Sequence, residues 1–154
     1  MIESPVQGKL KHTLDQIAER ILAGSRGELS MVCLRLDNGA YRIEAHRGGL
    51  PPDMDIPSVD FLPGDGGAGA RVAQTGEPQI IADYAKEMTA SPYQGPIANM
   101  GVKAIVNAPV GPRGDVIAVL YVMSRTASRF DEADMKRLVA QADIAEIAVR
   151  NALD

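Results

Sequence analysis

The stretch Gly64-Asp-Gly-Gly-Ala-Gly-Ala-Arg-Val-Ala-Gln-Thr-Gly-Glu-Pro-Gln-Ile-Ile-Ala-Asp83 decides how this chain is read. Gly64, Gly66, Gly67 and Gly69 fall within six positions and turn the chain sharply into a short helix expected over residues 68–74, which Gly76 ends. Residues 78–82 then read as a short strand. The same glycines superficially suit a phosphate cradle. That reading lacks its context, because no convincing buried strand precedes the loop and no Gly-Lys-Ser/Thr follows it.

Upstream, Leu10, Leu14, Ile17 and Ile21 recur at spacings of four, three and four, one face of a helix that Gly24 and Gly27 stop. Residues 29–36 and 41–47 read as two antiparallel strands, with Tyr41, Ile43 and Ala45 alternating against Arg42, Glu44 and His46. Asp37-Asn38-Gly39 between them suggests a tight Asn-Gly turn, whose positive φ both residues tolerate. Residues 48–69 are rich in Pro and Gly, and residues 83–101 suggest a helical turn or two flanked by loops.

Downstream, 103–110 and 116–123 are the strongest strands, joined through Gly111-Pro-Arg-Gly114. Asp131 is placed to cap a closing helix, with Asp134 near the positive end of its dipole. Met135, Leu138, Ala142, Ala145, Val149 and Ala152 form its buried stripe. Ala140, Ile144 and Ile147 form a second apolar patch that the domain's own sheet cannot cover; a partner helix in a homodimer would cover it, the alternative being two isoleucines exposed on a monomer. The order helix, two strands, irregular crossover, three strands, helix indicates an α+β sandwich on an antiparallel sheet.

This order and several segments resemble the GAF domain family. Gly-x-Gly-Gly-x-Gly followed by Val72-Ala-Gln-Thr-Gly-Glu-Pro78 and Ile81-Ala-Asp83 is similar to the family's helix-to-strand segment. Lys103-Ala-Ile-Val-Asn-Ala-Pro109-Val resembles its strand ending in Val-Pro-Leu, and Phe130-Asp-Glu-Ala-Asp134 resembles the start of its closing helix. The resemblance implies a central antiparallel sheet of about five to six strands. Its N- and C-terminal helices would lie on one face, with a ligand pocket under the crossover segment on the other.

Composition bounds what this domain does. The 154 residues and 16.4 kDa suit one domain spanning 1–154, large enough to bury a core. Apolar runs stop well short of the roughly 20 residues a membrane span needs, and no signal segment opens the chain, which argues for a cytoplasmic protein without membrane contact. A net charge of −4 with interspersed signs argues against nucleic acid as a partner. The single Cys33 forbids an internal disulfide.

Subclasses of the family leave signatures that can be sought here. Met123-Ser124 stands where cyclic-nucleotide binders resemble one another in an Asn-Lys pair. Cys33 lies in the first strand with no neighbouring His, against a covalently linked bilin. Free methionine sulfoxide reductases, the enzymatic alternative, resolve a sulfenic acid with a second thiol that this chain lacks. His12 reads as a surface residue and His46 as exposed on a strand, against haem, and no spacing suggests a metal.

The candidate site residues are therefore polar groups set in apolar strands and in the crossover. Asn107 interrupts an apolar strand and must find a partner, either a ligand or a neighbouring loop. Arg35 shares a strand face with Met31 and Cys33, where it would favour an anion if that face lines a pocket, or reach water or an acid from the strand end. Tyr121 and Met123 share a face suited to a pocket floor. Asp83, Tyr84, Met88, Tyr93 and Met100 occupy the crossover that the resemblance places over a ligand, with Tyr93 as a lid. The expected role is a sensory domain that binds a small molecule or anion and signals through a helical homodimer. Its output would pass to a partner such as a histidine kinase or transcription regulator, or to a continuation of the chain beyond residue 154. A ligand-free dimerisation module is the remaining alternative.

Overall fold

Residues 5–49, 60–87 and 101–153 are described by the structure, a computed structural model. The periodic segment around Leu10 forms α1 (Pro5–Ala23), with Leu14, Ile17, Ala18 and Ile21 buried against the sheet. Each large aliphatic side chain buried this way contributes about 1.5–3 kcal/mol relative to exposure. Ser25 closes the helix end, its hydroxyl donating to Leu22 O at 2.8 Å and accepting from Gly27 N at 3.1 Å. The chain then enters β1 (Leu29–Arg35), where the fully buried Ser30 hydroxyl donates to Ala18 O at 2.7 Å. That bond satisfies the hydroxyl and ties α1 to the strand.

β1 pairs antiparallel with β2 (Tyr41–Gly48) on one side and β5 (Ala118–Ser124) on the other. With β4 (Ala104–Val110) and β3 (Gln79–Ile81) they make a five-stranded antiparallel sheet of order β2-β1-β5-β4-β3. The α+β class expected from the element order is the class observed.

Two local readings of the first hairpin are corrected. Only Gly39 in the turn takes positive φ, at 86°, whereas Asn38 contributes its side chain, accepting from Ala40 N at 3.0 Å. Gly39 N donates to Leu36 O at 3.0 Å and Leu36 N to Ala40 O at 2.7 Å, so residues 37–39 make a three-residue loop and not a two-residue Asn-Gly turn. The strict alternation of β2 also fails. Val32 opposes Ala45 while Cys33 opposes Ile43, which leaves Glu44 as an extra residue. A bulge of one residue exchanges the two faces, so Tyr41 and Ile43 pack on one side of the sheet and Ala45 on the other.

Further along, a 3-10 turn (Pro63–Asp65) leads into α2 (Ala68–Thr75), which ends at Gly76 as expected. Among the described residues that follow Asp83, Tyr84–Glu87 form a short helix, α3. β5 begins later than the sequence suggests, because Val116 and Ile117 still belong to the turn: Asp115 N donates to Pro112 O and Ile117 N to Val110 O. The closing helix α4 (Glu132–Leu153) starts with reciprocal capping. Asp134 N donates to Asp131 Oδ1 at 3.1 Å and Asp131 N to Asp134 Oδ2 at 2.8 Å.

The sheet has a core on each face. Val32, Leu34, Val106, Leu120 and Val122 meet α1 and α4 through Ile17, Ala18, Leu138, Ala142 and Val149. On the opposite face Met31, Cys33, Ile105, Val119 and Met123 meet the crossover through Phe61, Val72 and Tyr84. No described helix is long and apolar enough to cross a membrane.

Candidate functional site: the crossover face of the sheet

α2 can lie close on this face because residue 69 has no side chain. A Cβ at Gly69 would overlap the hydroxyl of Tyr121 and the ring of Phe61. Gln79, opposite Asn107 in the β3–β4 pairing, fixes the other end of the arrangement. Its Nε2 donates to Ala68 O at 2.8 Å and to Asn107 Oδ1 at 3.0 Å, while Asn107 Nδ2 donates to Leu120 O at 3.3 Å. The fully buried Asn107 amide is thus engaged by protein groups on both sides, and it holds α2, β3, β4 and β5 in register.

Toward the β2 edge, the Tyr41 ring stacks on Phe61 with centroids 5.4 Å apart, and its hydroxyl donates to Val116 O at 2.5 Å. Burial pushes the Tyr41 phenol up from its ordinary range, with the nearby Arg35 guanidinium opposing the shift. Arg35 continues the face of Met31 and Cys33 and pairs with Asp115 Oδ1 at 2.9 Å. The other oxygen of Asp115 accepts from Arg150 Nη2 at 3.0 Å, and Arg150 Nε donates to Glu146 Oε2 at 2.9 Å. Arg35 first and Arg150 second hold the Asp115 carboxyl below the usual carboxylate range.

The candidate residues are distributed as follows. Arg35, Tyr84, Asn107 and Tyr121 lie on the crossover side, Tyr84 fully buried and Tyr121 nearly so. Asp83 lies at the start of α3, its backbone N–H donating to Glu87 Oε2 at 2.7 Å and its carboxylate 4.0 Å from Lys86 Nζ. Tyr93, Met88 and Met100 fall outside the described residues. Ala140, Ile144 and Ile147 are exposed along α4, the two isoleucines by 54% and 66%.

Cys33 is buried, and burial, followed by the nearby Glu44 charge, raises its thiol far above the ordinary value. A thiol held protonated is a poor nucleophile, since the thiolate is the reactive form. His12 and His46 are both exposed. Partial desolvation of its ring is the first cause lowering the His46 pKa, followed by the Lys11 and Arg47 charges. Among the described residues no group of three His, Cys, Asp or Glu could hold a metal ion.

A family model described as "GAF domain" matches residues 8–150. The chain belongs to the GAF domain family. Solved structures with this fold include the GAF domain of the Acinetobacter phosphoenolpyruvate-protein phosphotransferase. It is 21% identical with TM-score 0.75, over 96% of this chain and 89% of that one. The GAF domain/HD domain protein of Geobacter sulfurreducens is 12% identical with TM-score 0.74, over 97% and 98% of the two chains. A type II free methionine-R-sulfoxide reductase from Thermoplasma acidophilum is 14% identical with TM-score 0.72, over 96% of each chain. At these identities the likeness is one of fold. The sequence matches no curated protein.

Several residues that build this GAF face escape a reading of the sequence. Gln79 carried a usable signal, a polar residue opening a short apolar strand. Tyr41, Phe61 and Asp115 carried none, because their contacts join residues distant in sequence: Tyr41–Phe61 bridges β2 and the crossover, and Arg35–Asp115, 80 positions apart, joins the end of β1 to the turn that leads into β5.

Proposed function

We propose that this GAF domain is a sensory module that binds a small molecule or anion between the sheet and the crossover and reports it through its terminal helices to a second copy of itself. The observation that carries the reading is the two-sided sheet. Its crossover face carries Arg35, Asn107 and Tyr121 among apolar side chains, while both terminal helices pack on the reverse face. A ligand contacting strands on one side would act on helices packed against the same strands on the other. Arg35, Asp83, Tyr84, Tyr93, Asn107 and Tyr121 are the proposed ligand contacts, and Ala140, Ile144 and Ile147 the proposed dimer contacts. Transmission is a population shift, in which the ligand binds one helix arrangement better than the other.

A binding function is favoured over thiol catalysis because Cys33, the single cysteine, is sealed within the sheet core. The deciding experiment is a thermal-shift screen with carboxylates, phosphates, amino acids, nucleotides and aromatic acids. A ligand present at a hundredfold excess over its Kd adds about 2.7 kcal/mol of stability. A parallel assay with free methionine sulfoxide supports the binding reading if no turnover occurs, and turnover abolished by Cys33→Ser would replace it with the reductase alternative.

A further inference from the structure

The Asp115 carboxylate sits between two guanidiniums that belong to different parts of the molecule. Arg35 ends β1 on the crossover face beside the Tyr41 hydroxyl, and Arg150 lies in the last turn of α4. Each engages its own carboxylate oxygen, at 2.9 Å and 3.0 Å. Resting on the sensory reading above, we propose that Asp115 divides its charge between sheet and closing helix, so that drawing Arg35 toward an anion on the crossover side tightens Asp115 on Arg150 and clamps the end of α4.

The direction follows from the charges. One negative group attracts two positive groups that repel each other across it, so removing either strengthens the hold on the other. The opposing effect, freer motion of Asp115, is small because its side chain is short and its backbone is fixed by the bond from Asp115 N to Pro112 O at 2.8 Å. Arg35 is suited to changing partner. Its side chain is 34% exposed, and its contact with Asp115 uses a single guanidinium nitrogen. A carboxylate or phosphate accepting two parallel N–H bonds would offer it a better geometry. At the receiving end, a groove of about 460 Å³ lined by Pro109, Pro112, Val139 and Glu146 separates one flank of α4 from the β4–β5 turn. Val149 and Ala152 bury the other flank on the sheet, and the Asp115–Arg150–Glu146 chain adds a polar attachment on the open one. Glu146 lies one turn before Arg150 on the same helix, so the clamp acts on the last two turns together.

Arg35→Gln imitates withdrawal of the guanidinium without any ligand. Hydrogen exchange by mass spectrometry, followed on peptides covering residues 146–153 of the whole chain, reads the helix end directly. Arg35→Gln is expected to slow exchange there by about two- to fivefold, the scale of a partly exposed ion pair, and Asp115→Asn to speed it. The double variant is expected to match Asp115→Asn. Unchanged or faster exchange in Arg35→Gln, or equal slowing in the Asp115→Asn background, would overturn the proposal. Arg35→Met, which keeps the aliphatic stem, takes the place of Arg35→Gln if circular dichroism shows that variant unfolded, and the same outcomes are expected. The cycle uses no ligand. Its failure would remove the shared-carboxylate coupling and leave the sensory reading standing, whereas a flat ligand screen would remove the anion that draws on Arg35 and leave only the coupling between the two ion pairs.

Discussion

Gly69 and Gly64 stand five positions apart in the same glycine-rich run yet meet different surroundings. A Cβ at Gly69 would overlap Tyr121 and Phe61, and one at Gly64 would meet nothing within 4 Å. Gly69→Ala is therefore expected to destabilise by about 1–3 kcal/mol, as overpacking does, measured from the urea midpoint. Gly64→Ala should stay within about 0.5 kcal/mol of the parent. Asn107→Ala leaves one bond of Gln79 and the Leu120 carbonyl without the Asn107 amide, a loss of about 1–3 kcal/mol by the same measurement. A third residue-scale expectation concerns pH. Arg26 is the first cause holding the Asp134 carboxyl down at about 2, from an ordinary 3.8. A depressed carboxylate stabilises the fold above its unfolded pKa, and that contribution is lost as pH falls through the folded one. The stability difference between the parent and Arg26→Met should thus be full above pH 3.8 and shrink as pH falls toward about 2.

At the scale of elements, α4 carries two stripes with different fates. Leu138, Ala142, Ala145, Val149 and Ala152 are buried on the sheet, while Ala140, Ile144 and Ile147 face outward. The double substitution Ile144→Glu with Ile147→Glu should leave the monomer's stability within about 0.5 kcal/mol and yield monomers in sedimentation, with the parent expected to sediment as a dimer. A dimer that survives the change would place the interface elsewhere. Helices and central strands were legible in the sequence because their burial repeats at a fixed period: Leu10 to Ile21 for α1, and the run at 103–110 for β4. The hairpin was less so. Whether Asn38 or only Gly39 takes positive φ depends on loop length, and the bulge at Glu44 is set by pairing with β1, which alternation within β2 does not encode. The candidate site was legible only where a polar residue stood out against apolar neighbours, as Asn107 does. The long-range partners Phe61 and Asp115 depend on which loops the sheet brings together.

Taken whole, the molecule is one sheet shared by two cores, and its proposed work is to connect them. Strands that carry Arg35, Asn107 and Tyr121 toward the crossover carry Leu34, Val106 and Leu120 toward α1 and α4, so a displacement of a strand is felt on both sides. The shared carboxylate of Asp115, in the turn between β4 and β5, adds a polar connection to this apolar one. Interior packing transmits such shifts because it tolerates little empty space. The thermal-shift screen across anionic and neutral metabolite classes tests this account most directly. A bound ligand at a hundredfold excess over its Kd is expected to raise the Tm by roughly 5–10 °C in a domain of this size, with the rise diminished in Arg35→Gln. A melting temperature unmoved by every class would contradict it.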